Sequence, residues 1–449
     1  MGREPDARLM ADARRFQTRR LIHALVRRDT AMFDEPIRRQ SISLWISWLA
    51  GVLAVGACAV SALIIPPDST GDAPIVMVRD TGALYVRVEH RLHPVFNLTS
   101  ARLIARSPAN PVPVTASAVA SAEHGPALGI PGAPAQIGSS VRVPAWMACD
   151  ADQTTVFAGG AVDELHERAT PVLAIPAGEN SAVTYLLYEG RRAEVDLRDI
   201  AAVRALRIDG VVPKRISRVL LDLLPESPTI TAPTIDGAGR AGPAGYRIGQ
   251  VLRMVRAGST EYYVVLHRGF QRVGEVAADI IRFTYGVGEG DVPTVRPEAI
   301  ASVEALNELA VSTFPTRVQA PDGSPGVCIR WRPDGTAAVL TGIPSDARTT
   351  PLAQADGTGP HVDAVALAGG QSAYVRAAGI TGDSAGGPLY VMTDSGVLYG
   401  IRDEQTADYL GLSGPPVDAP WPLLAQLPQG PELSVETAEL QRDVLPARP

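Results

Sequence analysis

The segment with the clearest potential for chemistry is 381–388, which reads Thr-Gly-Asp-Ser-Ala-Gly-Gly-Pro. It resembles the Gly-Asp-Ser-Gly-Gly-Pro motif of trypsin-like proteases, in which Ser384 would be the nucleophile. Backbone N–H groups beside such a serine form the oxyanion hole, and the inserted Ala385 would displace them. We therefore interpret the segment as a glycine-rich loop that leads into a strand at Tyr390.

A serine nucleophile also needs a histidine base within hydrogen-bond reach. The histidines after residue 65 do not occur in the Ala-Ala-His-Cys context of these proteases; they are His90, His93, His124, His166, His267 and His361. A phosphate-binding P-loop requires Gly-x-x-x-x-Gly-Lys-Ser/Thr, but the single lysine, Lys214, lies between Pro213 and Arg215. The sequence also lacks the Cys/His spacing of zinc sites and the acidic runs of calcium loops. We expect no catalytic, cofactor-binding or metal-binding residues.

The element that organises the chain is an uncharged apolar run from Ile42 to Ile65. About 20 apolar residues in a helix cross a bilayer core, so residues 41–65 are predicted to form a single transmembrane helix. Trp45 and Trp48 lie near its start, where indole rings favour the membrane interface. A buried core helix and a cleaved signal peptide are the alternatives. Cys58 lies inside the run and is interpreted as an inert membrane cysteine.

The charges on either side of this run indicate its orientation. Residues 1–40 contain ten Arg and six Asp/Glu, a net charge of +4. The whole chain carries −7, so residues 66–449 carry −7 − 4 = −11. The positive-inside rule then predicts a cytoplasmic N-terminus and an extracytoplasmic region from residue 66. The acidic balance of that region argues against nucleic acid as a partner.

Residues 8–33, within the predicted cytoplasmic segment 1–40, have the periodicity of an amphipathic helix. Phe16 and Leu25 lie on its apolar face, and Arg19 lies on the opposite face. Two interpretations remain open: a helix that docks on a partner protein, and a basic helix that lies on anionic lipid headgroups. The candidate docking residues are Phe16, Arg19, Arg20, Leu25, Arg27 and Arg28.

A linker at 66–74 precedes a region, 75–430, in which one pattern returns four times. Each copy reads as strand, tight turn, strand and helix, and the copies lie near 82–106, 183–208, 261–283 and 388–412. The fold class is therefore predicted to be a large α+β extracytoplasmic region that follows one transmembrane helix. Residues 431–449 are predicted to form a C-terminal tail. Asn97-Leu98-Thr99 matches a glycosylation sequon, which we interpret as turn and strand residues.

The segments between the copies suggest a second symmetry. Trp146 and Cys149 lie three residues apart, and Cys328 and Trp331 repeat this spacing in the opposite order. We infer a pseudo-twofold body, in which two repeats with an inserted segment are followed by two more. An even pair of cysteines outside the cytoplasm usually oxidises, so a Cys149–Cys328 disulfide is predicted. Two buried free thiols are the alternative.

Taken together, these segments resemble the EccB family, a membrane core component of type VII (ESX) secretion systems. The resemblance covers nearly the whole chain and depends on the combination of motifs. These are Arg19-Arg20 with 23–29, Leu84-Tyr85-Val86 with 93–103, Gly129 to Pro134, Trp146 to Asp150, 262–266, 393–397, Pro420-Trp421, and Leu427 to Pro431.

The resemblance implies a structural subunit in the inner (cytoplasmic) membrane, with four repeats around a central β domain and one disulfide. It implies assembly with EccC, EccD and EccE, and association with a mycosin protease, in an oligomeric membrane complex. Some EccB proteins are named ATPases, but this sequence offers no site for that chemistry. An unconventional ATPase and a membrane-anchored protein that binds envelope polymers are the alternative functions.

Overall fold

A computed structural model describes residues 7–28, 45–56, 70–159, 165, 171–178, 183–256, 258–287, 290–317, 326–344, 347–383 and 385–442. The chain divides into two compact units, Met1–Ser69 and Thr70–Pro449. The boundary lies within the predicted linker 66–74. Cys58 and Ser384 lie outside the described residues.

The described part of the first unit is helical. Helix α1 spans Ala7–Arg27 and ends where Arg28 adopts a left-handed conformation, with φ of 52°. The predicted continuation of this helix to residue 33 lies outside the described residues. Helix α2 spans 45–56, within the predicted transmembrane segment. Over the described stretches, no helix reaches the length and apolar character needed to cross a membrane.

In the second unit, the described residues form five sheets, and four of them share one plan. Three consecutive strands pair antiparallel, and in the first, second and fourth sheets a later strand returns parallel to the first strand of the three. In the third sheet a single bridge from Thr294 to Arg253 takes that place. The predicted strand–turn–strand hairpins are thus the inner parts of wider sheets.

The strands of these four sheets follow in chain order. The first sheet, of order β3-β2-β1-β4, contains β1 (Ile75–Val78), β2 (Leu84–Val88), β3 (Arg91–Val95) and β4 (Val112–Val114). The second, β11-β8-β9-β10-β12, contains β8 (Val172–Pro176), β9 (Tyr185–Tyr188), β10 (Arg191–Glu194), β11 (Lys214–Ile216) and β12 (Glu226–Ser227). The third, β13-β14-β15-β16, contains β13 (Val251–Arg256), β14 (Ser259–Val265), β15 (Gly269–Val273) and β16 (Glu304–Leu306). The fourth, β23-β22-β21-β24, contains β21 (Gln371–Ala378), β22 (Leu389–Thr393), β23 (Leu398–Ile401) and β24 (Val417–Pro420), and β5 (Ser139–Ser140) also pairs with β21.

A helix follows the third strand of each sheet, and shorter helices follow later. They are α3 (Leu98–Ala105), α4 (Ala116–Ala120), α5 (Ile200–Ala205), α6 (Arg218–Asp222), α7 (Glu275–Tyr285), α8 (Pro297–Ala301), α9 (Glu404–Leu410), α10 (Trp421–Leu424) and α11 (Val435–Ala438). Side-chain caps start several of them, since Asn97, Asp199 and Asp403 accept hydrogen bonds from the first-turn amides. The prediction that Asn97 and Thr99 are turn and strand residues is therefore wrong: Asn97 caps α3 and Thr99 lies inside it.

The fifth sheet has the strand order β18-β17-β6-β7-β20-β19 and combines segments from two distant parts of the chain. Its strands are β6 (Trp146–Asp150), β7 (Thr154–Ala158), β17 (Val327–Trp331), β18 (Ala337–Thr341), β19 (Thr350–Pro351) and β20 (Ala364–Ala366). Strands β6 and β17 pair antiparallel, which places Trp146 opposite Trp331 and Cys149 opposite Cys328. The opposite order of Trp and Cys in the two segments is what this pairing requires.

The buried cores join the sheets in pairs. One core combines the first and fourth sheets, with Ile75 and Val86 packed among Val391 and Ile401. A second core combines the second and third sheets, where α5 packs on α7. The central sheet contributes to a third core, shared with residues of the second and fourth sheets. The chain therefore builds the first sheet, passes through the central sheet into the second and third, and returns through the central sheet to the fourth.

Candidate functional site

The pair Cys149 and Cys328 forms a disulfide in the middle of the central sheet, with Cα atoms 4.0 Å apart and a sequence separation of 179. Both residues are buried, and their neighbours are apolar, among them Met147, Phe157 and Leu340. The bridge lies where the chain enters and leaves the second and third sheets. It covalently joins the two ends of the segment that contains the second and third sheets, and it is shielded from solvent.

The two tryptophans of the same strands connect the central sheet to the fourth sheet. The Trp146 indole N–H donates to the carbonyl oxygen of Asp418 in β24, at 3.1 Å. The Trp331 indole N–H donates to the carbonyl oxygen of Ile380, just after β21, at 2.8 Å. Both rings are fully buried. Each hydrogen bond therefore satisfies an indole N–H group that would cost free energy if it were buried without a partner.

Asp150, at the end of β6, connects the central sheet to the second sheet. Its carboxylate accepts hydrogen bonds from the backbone N–H and the hydroxyl of Ser217, the residue that precedes α6. Ser217 makes no capping bond of its own to α6. Burial raises the pKa of Asp150, the bonds from Ser217 and Thr154 oppose that rise, and the charge of Asp363 adds to it.

Asp363 is a second buried carboxylate at the same end of the sheet. It accepts backbone N–H bonds from Thr154, Asp356 and Gly357, each at 2.7 Å. Three such donors compensate the desolvation of the charge and hold the 352–363 loop against β7. The sequence analysis missed both residues, because Ser217 lies on an element distant from Asp150 and Thr154 is 209 residues away from Asp363.

The protease-like segment has a structural explanation in its described residues. The backbone N–H of Gly379 donates to the carbonyl oxygen of Asp383 at 2.9 Å, and the Asp383 carboxylate accepts from the N–H of Ala385 at 3.2 Å. A Cβ on Gly335 would lie 2.2 Å from the carbonyl oxygen of Thr381. These contacts close a tight loop against the turn after β17, before the predicted strand at Tyr390, which is β22.

Other chemistry-bearing residues are dispersed. His361 Nδ1 lies 2.6 Å from a carboxylate oxygen of Asp356, while Lys214 lies in β11. Within the described stretches, no group of three or more His, Cys, Asp or Glu residues is arranged to hold a metal ion. A pocket of about 680 Å³ opens at the β14–β15 end of the third sheet. Its Glu261 carboxylate is occupied by the Arg272 guanidinium at 3.0 Å and the Tyr263 hydroxyl at 2.9 Å.

The candidate docking residues lie on α1 or directly after it. Phe16 and Leu25 are 57% and 81% exposed, so the apolar face of α1 has no cover within the described part of its unit. Arg19, Arg20 and Arg28 are also exposed, and Arg27 is the last residue of the helix. The ring centroids of Trp45 and Trp48 on α2 are 6.3 Å apart, in an edge-to-face arrangement. The roles of these residues in docking and at the membrane interface remain predictions.

The whole chain is similar to a known protein family. The family model described as type VII secretion system ESX-1, transport TM domain B, matches residues 3–447. A relative from Mycolicibacterium smegmatis, named ESX-3 secretion system ATPase EccB3, is 34% identical over 471 residues, covering 97% of this chain and 90% of the relative. A Mycobacterium tuberculosis relative, named ESX-5 secretion system ATPase EccB5, is 32% identical over 477 residues, covering 96% and 92%.

Solved structures show the same likeness in three dimensions. A chain of an intact ESX-5 inner membrane complex has a TM-score of 0.71 and 29% identity, and the match covers 100% of this chain and 98% of that chain. The EccB3 dimer from the ESX-3 core complex has a TM-score of 0.70 and 32% identity, covering 82% and 100%. This chain is therefore similar to these proteins both in sequence and in fold.

Proposed function

Because this chain belongs to the EccB family of type VII secretion proteins, we propose that it is a structural subunit of an ESX inner-membrane complex that supports protein export. The observation that carries this proposal is the match over the full chain to a component of such a complex, at a TM-score of 0.71. The organisation of the described residues is consistent with it, since their buried polar groups connect sheets. Large surfaces and rigid connections suit a subunit that holds other proteins in place.

The proposed topology has residues 1–40 in the cytoplasm, one membrane span at 41–65 and the second unit in the periplasm. The charge difference between the two flanks of the apolar run supports this orientation. Single cysteines at Thr18 and Ser117, both exposed, test it in intact cells with an impermeant reagent. We expect labelling at position 117 alone. Labelling at position 18 alone would show that the topology is the reverse of the proposed one.

We further propose that the four similar sheets are copies of one repeat unit, arranged pseudo-twofold about the central sheet. Their common strand plan supports this proposal. The proposed partners are EccC, EccD, EccE and a mycosin protease. The exposed apolar and basic residues of α1 are proposed to contact the partners in the cytoplasm, and the repeats to contact those in the periplasm.

Purification of the tagged full-length chain from its native membrane tests the assembly. We expect the other membrane components to be recovered with it in a fixed ratio. A variant with Phe16→Ser and Leu25→Ser is the informative comparison, because the apolar run 42–65 and the fold of the second unit are unchanged. Recovery of the chain alone, from membranes in which secretion is active, would refute the structural role.

ATP hydrolysis is the second candidate, because relatives carry that name. The sequence has one lysine and no P-loop, so ATP chemistry would need an unconventional site. Equilibrium ATP binding to the purified full-length protein separates the two functions. We expect no saturable binding, whereas saturable binding with release of phosphate would favour the enzyme.

Binding of the same protein to isolated cell wall tests the third candidate, an envelope-binding protein.

A further inference from the structure

The last described residues, 428–442, connect the fourth sheet to the first; we name this segment the C-terminal latch. Its beginning runs parallel to β23 and adds a further row of backbone bonds there. Gly430 N–H donates to the carbonyl oxygen of Leu398 at 2.8 Å, and Leu433 N–H donates to that of Gly400 at 2.7 Å. A Cβ on Gly430 would lie 2.2 Å from the Tyr399 ring, so the latch and that ring are in close contact.

The other end of the latch lies on the first sheet. Helix α11 packs on α3 and buries Ala438 completely. Gln441 then forms an antiparallel bridge with Leu128, whose own segment runs beside β3. Arg442 donates through its backbone N–H to the carbonyl oxygen of Ala127 and through Nε to that of Gly129, both at 3.1 Å.

The two ends differ in burial. Leu433, at the fourth-sheet end, is fully buried, and its neighbours form several short backbone bonds. At the first-sheet end Ala438 is buried, but the four residues that follow it, 439–442, are exposed. The only ion pair there, among the described residues, joins Arg106 and Glu439 at 3.6 Å with both side chains about half exposed. Exposed pairs of this kind contribute little, and segments held by few buried contacts open first.

We propose that the latch is anchored on the fourth sheet and opens locally at its first-sheet end, while the rest of the second unit stays folded. Opening frees the carbonyl oxygens of Ala127 and Gly129 and uncovers the surface of α3 that Ala438 covers. The latch is thus a conformational device: it completes the edge of two sheets, and one of these edges is released without global unfolding.

Native-state hydrogen exchange of the full-length protein in detergent, followed by mass spectrometry, tests the proposal. We expect the amides of 438–442 to exchange at least about tenfold faster than those of 398–402 and 430–433, because local opening exposes only the first group. Exchange at equal rates in the two groups would overturn the proposal, since the latch would then open only when the whole fold opens.

A reversible lock gives an independent test. Leu128→Cys with Gln441→Cys places two cysteines at an antiparallel bridge, where Cα separations suit a disulfide. Oxidation should slow exchange at 438–442 about tenfold, to the rate of the anchored end. Mild reduction should restore the original exchange rate. It should break only the introduced disulfide, because the native Cys149–Cys328 bridge is buried. An oxidised lock that leaves exchange unchanged would overturn the proposal.

Two single variants separate the ends, with a matched control. Arg442→Ala removes the side-chain Nε bond to Gly129, keeps the backbone bond to Ala127, and should speed exchange only at 438–442. Gly430→Val collides with the Tyr399 ring and should speed exchange at both ends. Leu440→Ala changes an exposed latch residue and should have no effect. Equal acceleration of both ends by Arg442→Ala would contradict the proposed anchor; this test does not depend on whether Gly430→Val folds.

Discussion

Replacing both bridge cysteines, Cys149→Ala with Cys328→Ala, should destabilise the second unit mainly through its unfolded state. The folded protein already holds these residues together by the β6–β17 pairing, so little native structure is lost. The unfolded chain, in contrast, regains the freedom of a loop whose ends are 179 residues apart. The chain-entropy relation gives about 5 kcal/mol at 25 °C for a loop of this length.

This figure is an upper bound on the entropic contribution, and removal of native disulfides typically costs about 2–5 kcal/mol. The lost sulfur atoms add a small packing cost against Met147 and Phe157. We therefore expect a decrease of about 3–5 kcal/mol in the free energy of unfolding. The free energy of unfolding should also decrease more steeply with urea concentration, because the unfolded state without its cross-link exposes more surface.

Urea unfolding of the full-length protein in detergent measures both quantities. The fluorescence of Trp146 and Trp331 reports on the central sheet, because both indoles are fully buried beside the bridge. Cys58→Ala is the matched control and should unfold as the unchanged protein does. A decrease below about 1 kcal/mol, with no change in the urea dependence, would refute the reasoning, because the cross-link would not then restrict the unfolded chain.

Three further predictions concern other parts of the molecule. Ser384→Ala should leave secretion unchanged if its loop is structural; loss of secretion with normal assembly would restore the nucleophile interpretation. Asp403→Ala should cost about 1 kcal/mol at pH 7, because the carboxylate caps α9. Hydrogen bonds from Thr406 lower the pKa of Asp403 in the folded protein. This stabilisation is therefore present above the unfolded-state pKa of about 3.9 and is lost as pH falls through the lower folded-state pKa. Urea unfolding should show a difference in stability between the variant and the unchanged protein at pH 7, and that difference should disappear below about pH 3. Phe16→Ser with Leu25→Ser should reduce co-purification of one cytoplasm-facing component selectively, whereas equal loss of all components would favour a lipid-bound helix.

The sequence predicted those features that depend on local pattern. Each hairpin was visible from apolar strands on either side of a turn. The disulfide was predicted from the number of cysteines, because Cys149 and Cys328 are the two that lie outside the predicted membrane span. The parallel strand that completes a sheet was not visible, because β4 pairs with β1 over a separation that no local pattern encodes. Asp150 was missed for the same reason, since Ser217 is 67 residues away.

Of two further errors, one had a detectable signal in the sequence and the other had none. Asn97 precedes Leu98 and Thr99 at the start of an apolar helical pattern, and asparagine is among the preferred N-cap residues, so the cap of α3 was readable. Residues 431–442, predicted as part of a tail, contain the buried Leu433 and the capped helix α11. Their apolar residues are few, and only the neighbouring sheets give them a place to pack.

The bridge also determines how the molecule would carry a mechanical load. A force applied between the first unit and the fourth sheet follows the covalent chain to Cys149, crosses the sulfur atoms to Cys328, and continues toward β21. The 178 residues between the two cysteines, which include the second and third sheets, lie outside this path. Tension that stretched the rest of the second unit would therefore bypass them, and they would keep their fold while the chain on either side was under strain.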